Sequence, residues 1–251
     1  MKALVSICLF IFVISSTGCS KTDSENIRTS GIRAELTVTA TGADVSNDSL
    51  VEARLYSGGS GIGGTLIEVS SGDTLTAYEG AVKYQMVKKA DLFDIYYLAT
   101  LPSGDVNTVY QVSFERDEGV SATESYTMLP DPFEITSSHN SPVLKETDLN
   151  VTWSPAGSGS LKLAYDFDCL TSTGGSVNTS GIQTVTDNGS AQIDIVDMLN
   201  EHMLDEPIST CDGYIDFKRS QSGTLDSNFG EGGSIQGIQR RRLELDIVSS
   251  I

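Results

Sequence analysis

The chain has 251 residues and a formal net charge of −18, from 16 Lys and Arg against 34 Asp and Glu. So acidic a surface disfavours nucleic acid and anionic headgroups as partners and favours cations or a basic partner. Hydrophobic residues make up 39% and glycines number 24, which excludes a disordered or collagen-like chain and indicates a globular one with many turns.

The first twenty residues, MKALVSICLFIFVISSTGCS, carry Lys2, an apolar run from Ala3 to Ile14, and then Ser16-Thr17-Gly18-Cys19. The run is shorter than the roughly 20 residues that span a bilayer core. A basic start, a short apolar region and small residues make a secretory signal. Ser16-Thr17-Gly18-Cys19 resembles the lipobox of bacterial lipoproteins, with Ser16 where that family usually has Leu. The resemblance implies cleavage after Gly18 and acylation of Cys19, so that one partner is a lipid bilayer. Ser20 follows the cysteine in place of the Asp that favours retention. The implied location is therefore the bacterial outer membrane, facing the periplasm or the cell surface. A plain secretory signal with Cys19 incidental is the alternative. Loss of residues 1–18 leaves 233 residues with a charge of −19, enough for one large domain or two small ones.

Residues 19–30 are polar and without apolar period, which predicts a flexible tether reaching roughly 20 Å. From Gly31 the pattern changes. Ile32, Ala34, Leu36, Val38 and Ala40 alternate with polar residues, the period of a half-buried strand. Val51 to Leu55, Leu66 to Val69, Thr74 to Tyr78, Val82 to Val87, Ile95 to Leu101, Val109 to Phe114 and Val120 to Met128 continue the series. The glycine-rich stretch Ser57–Gly64 lacks the Gly-Lys-Ser/Thr of a phosphate loop and reads as a strand connection. Short strands at near-regular spacing predict an antiparallel sandwich over 31–130. Leu101-Pro102 followed by Tyr110-Gln111-Val112-Ser113-Phe114 resembles the E–F corner of fibronectin type III domains. That resemblance implies that Tyr110 bonds back to the corner backbone and that Val112 and Phe114 enter the core.

Two prolines flank Asp131, which breaks the strand pattern, and residues 131–142 are expected as a linker. A second sandwich is expected over 143–251. Val151-Thr152-Trp153-Ser154-Pro155 resembles the second strand of fibronectin type III domains, which implies a core Trp153. Leu161, Leu163, Tyr165, Phe167 and Cys169 share one face of the next strand, and Asp187-Asn188-Gly189 is a tight turn. Val196, Leu199 and Met203 recur at helical spacing and predict a short helix. Gly213–Arg219 and Leu243–Val248 are the last strands, with Gly223–Gly237 as their connection. Phe114-Glu115-Arg116 and Phe217-Lys218-Arg219 mark corresponding strands of a repeated unit. The expected fold is thus all-β, two tandem antiparallel β-sandwiches of immunoglobulin or fibronectin type III kind.

Of four cysteines, Cys8 leaves with the signal and Cys19 takes the lipid, so Cys169 and Cys211 remain as a pair. An even pair in an oxidising compartment reads as a disulfide. The resemblance supports it: Cys169 ends the third strand of the second sandwich and Cys211 opens the sixth, and those strands are antiparallel neighbours. Two separate buried thiols are the alternative.

Catalytic patterns are sparse. His139 lies in the linker and His202 in the helical segment, and no Gly-x-Ser-x-Gly elbow accompanies them. No clustered His and Cys suit zinc, and no run of acids suits an EF-hand. Asp166 and Asp168 alternate on one strand, which reads as an outward polar face or, less simply, a calcium site. Arg240-Arg241-Arg242 must alternate between faces and is expected to pair with local acids. Tyr96 and Tyr97 can present only one ring outward, a weak sugar platform. Neither catalytic residue, metal nor cofactor is expected. The reading is a non-catalytic binding, adhesion or structural module that contacts an envelope protein or glycan. The alternative is a polysaccharide- or calcium-binding accessory lipoprotein. An uncovered sheet edge would favour the first, and an aromatic row or convergent carboxylates the second.

Overall fold

The computed structural model describes residues 21–42, 48–58, 64–91, 94–137, 141–199 and 207–249. The fold is all-β with one short helix among the described residues. The strands of the first half are β1 (Lys21–Asp23), β2 (Ile32–Ala40), β3 (Ser49–Ser57), β4 (Thr65–Glu68), β5 (Thr74–Glu79), β6 (Val82–Gln85), β7 (Val87–Ala90), β8 (Ile95–Leu101), β9 (Tyr110–Glu115) and β10 (Ala122–Thr127). The second half carries β11 (Glu134–Ile135), β12 (Val143–Leu144), β13 (Leu149–Ser154), β14 (Ser160–Thr171), β15 (Ser176–Thr186), β16 (Ser190–Ile193), helix α1 (Ile195–Leu199), β17 (Ile208–Ser222) and β18 (Gly233–Val248).

Alternation in the sequence becomes alternation in burial. In β2 the alternate apolar residues Ile32, Ala34, Leu36, Val38 and Ala40 are buried, and the residues between are partly exposed. The same holds for Leu149, Val151 and Trp153 in β13. Two hydrophobic clusters result. One gathers residues from Ile32 to Leu129 together with Phe229 and Ile235, and the other gathers residues from Phe133 to Ile247. A four-stranded sheet, β10-β9-β5-β6, supplies Leu75, Ala77, Tyr110, Val112 and Phe114 to the first cluster. A smaller sheet, β11-β13-β16, supplies Val151, Trp153 and Ile193 to the second, and Phe133, just before β11, joins them.

Both small sheets share one partner. A single eleven-stranded sheet runs β1-β4-β3-β2-β18-β17-β14-β15, with β7, β8 and β12 attached. The join is β18. Its first part, Gly233 to Gln239, pairs in parallel with Ala34 to Ala40 of β2. From Gln236 to Val248 it pairs antiparallel with β17. One face of this strand therefore passes through both halves. Ile235 and Phe229 belong to the first cluster, while Leu243, Leu245 and Ile247 belong to the second. Gln239 and Arg241, buried between them, mark the seam. Gly237 lies where the backbone at Met128 crosses the strand, and a Cβ there would collide with the Met128 carbonyl.

Three expectations change in this light. Residues 21–30, expected within the tether, form β1 and two 3-10 turns, and β1 pairs in parallel with β4. Polar composition removed the apolar period, but backbone pairing needs none. Phe133 and Val143, within and beside the expected linker, are buried in the second cluster. The glycine-rich connection 223–237 is partly strand, because Gly233 and Gly237, lacking a Cβ, let other backbone pass close by. The expected helix is present as α1 over Ile195–Leu199; residues 200–206, including His202 and Met203, lie outside the described residues. Among the described residues no helix is long and apolar enough to cross a membrane.

Candidate functional site: two arginine clamps and an open sheet edge

The two Phe-x-Arg segments sit at matching places. Phe114 and Phe217 are both fully buried, each in its own core. Two residues on, Arg116 and Arg219 turn their guanidinium groups inward.

Arg219 meets Asp187 through Nε at 2.6 Å and through a terminal nitrogen at 2.9 Å. Its remaining donors go to the carbonyls of Asp131 at 2.8 Å and Pro155 at 2.9 Å. Asp187, only 2% exposed, also accepts the Trp153 indole N–H at 2.7 Å and the Gly157 N–H at 3.1 Å. Burial by itself would raise the Asp187 pKa, but the hydrogen bonds from Arg219, Trp153 and Gly157 outweigh it and hold the carboxyl below its ordinary value. Phe133 lies between two cations, 4.7 Å from the Arg219 guanidinium and 5.2 Å from that of Arg241. Arg241 donates through Nε to the Phe133 carbonyl at 2.6 Å. The chain that enters the second half is thereby held at consecutive residues, 131 to 133.

Arg116 does the same for the chain that enters the first half. It donates to the carbonyls of Ser24 and Ile27, both at 2.6 Å. Its acid is Asp73, reached through Nε at 3.4 Å without a hydrogen bond at that nitrogen. Asp73 instead accepts the Ser24 hydroxyl at 2.6 Å and the Asp117 N–H at 3.1 Å. The Thr29 hydroxyl donates to the Val120 carbonyl.

A cleft of about 580 Å³ opens beside the first clamp, lined by Glu25, Ile27, Arg28 and Val120. Another of about 440 Å³ opens beside the second, lined by Val106, Leu129, Ser158 and Gln221. The arginine at the base of each is already committed to an acid and to backbone carbonyls.

The other singled-out residues divide into those the structure places and those it leaves outside. Cys169 and Cys211 are directly opposed across β14 and β17 and form a disulfide, with alpha carbons 4.0 Å apart. Tyr110 donates its hydroxyl to the Asp105 carbonyl at 3.0 Å, and burial pushes its pKa up to about 12. Val112 and Phe114 are buried as expected. Trp153 packs against Phe217 at 6.0 Å between ring centroids. The three arginines alternate: Arg241 turns inward to Phe133, while Arg242 grips Asp216 with two bonds of 2.8 and 2.9 Å and Arg240 approaches it at 3.9 Å. Tyr97 is buried and accepts the Val69 N–H, and the Tyr96 ring is covered by Arg54. Asp166 and Asp168 share the side-chain amide of Asn178, at 2.8 and 3.1 Å. Among the described residues no three His, Cys, Asp or Glu converge as metal ligands. Cys19 and His139 lie outside the described residues.

Sequence reading placed Asp187 only in a tight turn and did not single out Asp73, and it saw in Phe-x-Arg a repeat but no clamp. The signal was an arginine two residues after a core phenylalanine, on what must be the core-facing parity of the strand. A cation in that position needs a buried acid.

The last feature is β15, which ends the eleven-stranded sheet and pairs only with β14. It runs for eleven residues without a charge or a proline.

Compared with known proteins, the chain matches no protein-family model and no curated protein.

Proposed function

We propose that this chain is a lipid-anchored, non-catalytic binding or structural module of the bacterial outer membrane. It would be acylated at Cys19 and face the periplasm or the cell surface, with two immunoglobulin- or fibronectin-like sandwiches fused through a shared sheet. The single observation that carries the anchor is Ser16-Thr17-Gly18-Cys19 after a short apolar run. The corner bond of Tyr110, the core position of Trp153 and the two separate hydrophobic clusters support the sandwich assignment. The buried arginines spend their donors on backbone carbonyls, and that favours a scaffold over a reaction centre. The exposed β15 edge favours contact with protein.

The anchor and the fold would lie close together. Only Ser20 lies between Cys19 and the start of β1, two chain steps with a reach of at most roughly 7 Å. The first half would therefore stand at the membrane surface.

A polysaccharide- or calcium-binding accessory role has one observation in its favour. Asp168, Asp212 and Asp246 lie directly opposite one another across three strands. Asp168 is engaged by Asn178, and Asp246 accepts the Ser141 hydroxyl at 2.7 Å. The scaffold reading is preferred for that reason. The test is labelling with radioactive palmitate: label enters the wild type and is absent from Cys19→Ala. Equal labelling of both would overturn the anchor.

A further inference from the structure

Edge strands are a hazard that proteins blunt by keeping them short or placing charges on them. This molecule does so at every described edge but one. β1 has three residues including Lys21 and Asp23, β6 carries Lys83, β7 carries Lys88 and Lys89, and β10 carries Glu124. β11, β12 and β16 have four residues or fewer. β15 has eleven residues, and the run from Cys169 to Thr186 contains no charged side chain at all. In a chain of net charge −18, that is a long gap.

The free hydrogen-bonding groups of this edge can be assigned. At its two ends the β14–β15 hairpin is closed by Thr171 N–H to the Gly175 carbonyl and Asp187 N–H to the Gly159 carbonyl. Those pairs extend the strand register, in which Leu161 faces Val185 and Tyr165 faces Gly181. Hydrogen-bonded and non-hydrogen-bonded pairs alternate along an antiparallel ladder. The odd-numbered residues of β15 therefore bond to β14. Asn178, Ser180, Ile182 and Thr184 aim their N–H and C=O groups outward. Among the described residues no strand pairs with that side. Ile182, 72% exposed, is the most exposed large hydrophobic residue among those described.

We propose that the occupant of this edge is a second copy of the chain, docked β15 to β15 in antiparallel fashion about a dyad at Gly181. The sequence S-V-N-T-S-G-I-Q-T-V-T sets Val177 and Val185 at equal distances on either side of that glycine, with Ser176 and Thr186 beyond them. Centring the pairing there sets Asn178 of one copy opposite Thr184 of the other, and Ser180 opposite Ile182. These are the outward-facing residues, so about eight main-chain hydrogen bonds form at four paired positions. Val177 of one copy then faces Val185 of the other at a close, non-hydrogen-bonded position, where side chains interact most strongly. Both valines already pack against the second core in the monomer, so the apolar layer continues through the dyad. The two Ile182 side chains meet diagonally across it. No like charges oppose each other along the strand. A second copy is the partner for which this register supplies both valine–valine contact and complete main-chain pairing. The dimer does not depend on the lipid anchor.

The test is sedimentation velocity of the full chain, produced with its own leader and extracted in mild detergent, over a concentration series. The wild type sediments as a dimer. Ile182→Pro removes an outward N–H and leaves the bonds to β14 intact, so it sediments as a monomer with the wild-type melting temperature. Two further variants check the register at exposed side chains. Ser180→Lys with Ile182→Lys opposes lysine to lysine across the dyad and gives a monomer. Ser180→Glu with Ile182→Lys opposes glutamate to lysine and restores the dimer. A wild type that stays monomeric throughout, or a glutamate–lysine variant that stays monomeric, would overturn the proposal.

Discussion

The two clamps are built alike and bonded differently. Arg219 grips both oxygens of Asp187 at 2.6 and 2.9 Å, whereas Arg116 reaches Asp73 only at 3.4 Å. The carboxylate of Asp187 is filled further by Trp153 and Gly157, so the whole second clamp is one hydrogen-bonded unit joined to the core. Asp73 spends its oxygens on Ser24 and Asp117 instead, and Arg116 relies on two carbonyls. A buried cation needs compensation, and paired geometry gives more of it than distance alone. The difference teaches that the same residue pattern fixes the chain connection rigidly at the second half. At the first half it stitches down an N-terminal segment that has little else to hold it.

Removing each arginine sharpens that contrast. Arg219→Ala leaves Asp187 as an uncompensated buried charge and should cost about 3–5 kcal/mol, read as a fall in the urea midpoint. Arg116→Ala should cost less, about 2–3 kcal/mol, since it loses charged hydrogen bonds to carbonyls more than an ion pair. Hydrogen exchange should rise over 131–135 in the first variant and over 24–30 in the second. Equal costs for the two variants would remove the distinction between the clamps.

Acid should erode the second clamp. The carboxyl of Asp187 titrates below its unfolded value of 3.8. A group with a depressed folded pKa adds stability that is present above the unfolded value and is lost as pH falls through the folded one. The stability gap between the wild type and Asp187→Asn should therefore be constant near neutrality and shrink below about pH 3.8. A gap that does not change on acidification would show that Asp187 is not the charged partner.

Local pattern carried part of this architecture and not the rest. The disulfide was legible because Cys169 and Cys211 remain as an even pair, and the structure sets them directly opposite each other. The corner bond of Tyr110 was implied by a resemblance of short motifs, and the alternation of Arg240 to Arg242 was legible from a period of two against one buried face. The pairing of β18 with β2 was not. It joins residues about two hundred positions apart in parallel, and no local signal marks such a contact. Gly233 and Gly237 suggest a loop in sequence, yet they are where other backbone passes closest. Residues 24–29 and 131–133 look like solvated connectors because much of what holds them is their carbonyl groups, which no side-chain pattern displays.

The central claim is that β18 makes the two halves one cooperative structure. Calorimetry of the full chain, with and without reductant, tests it most directly. The Cys169–Cys211 bond closes a separation of 42 residues, and its loss should cost about 4 kcal/mol in the chain-entropy model. The shared sheet predicts a single transition that moves to lower temperature as a whole on reduction. Two transitions, only one of which moves, would contradict it.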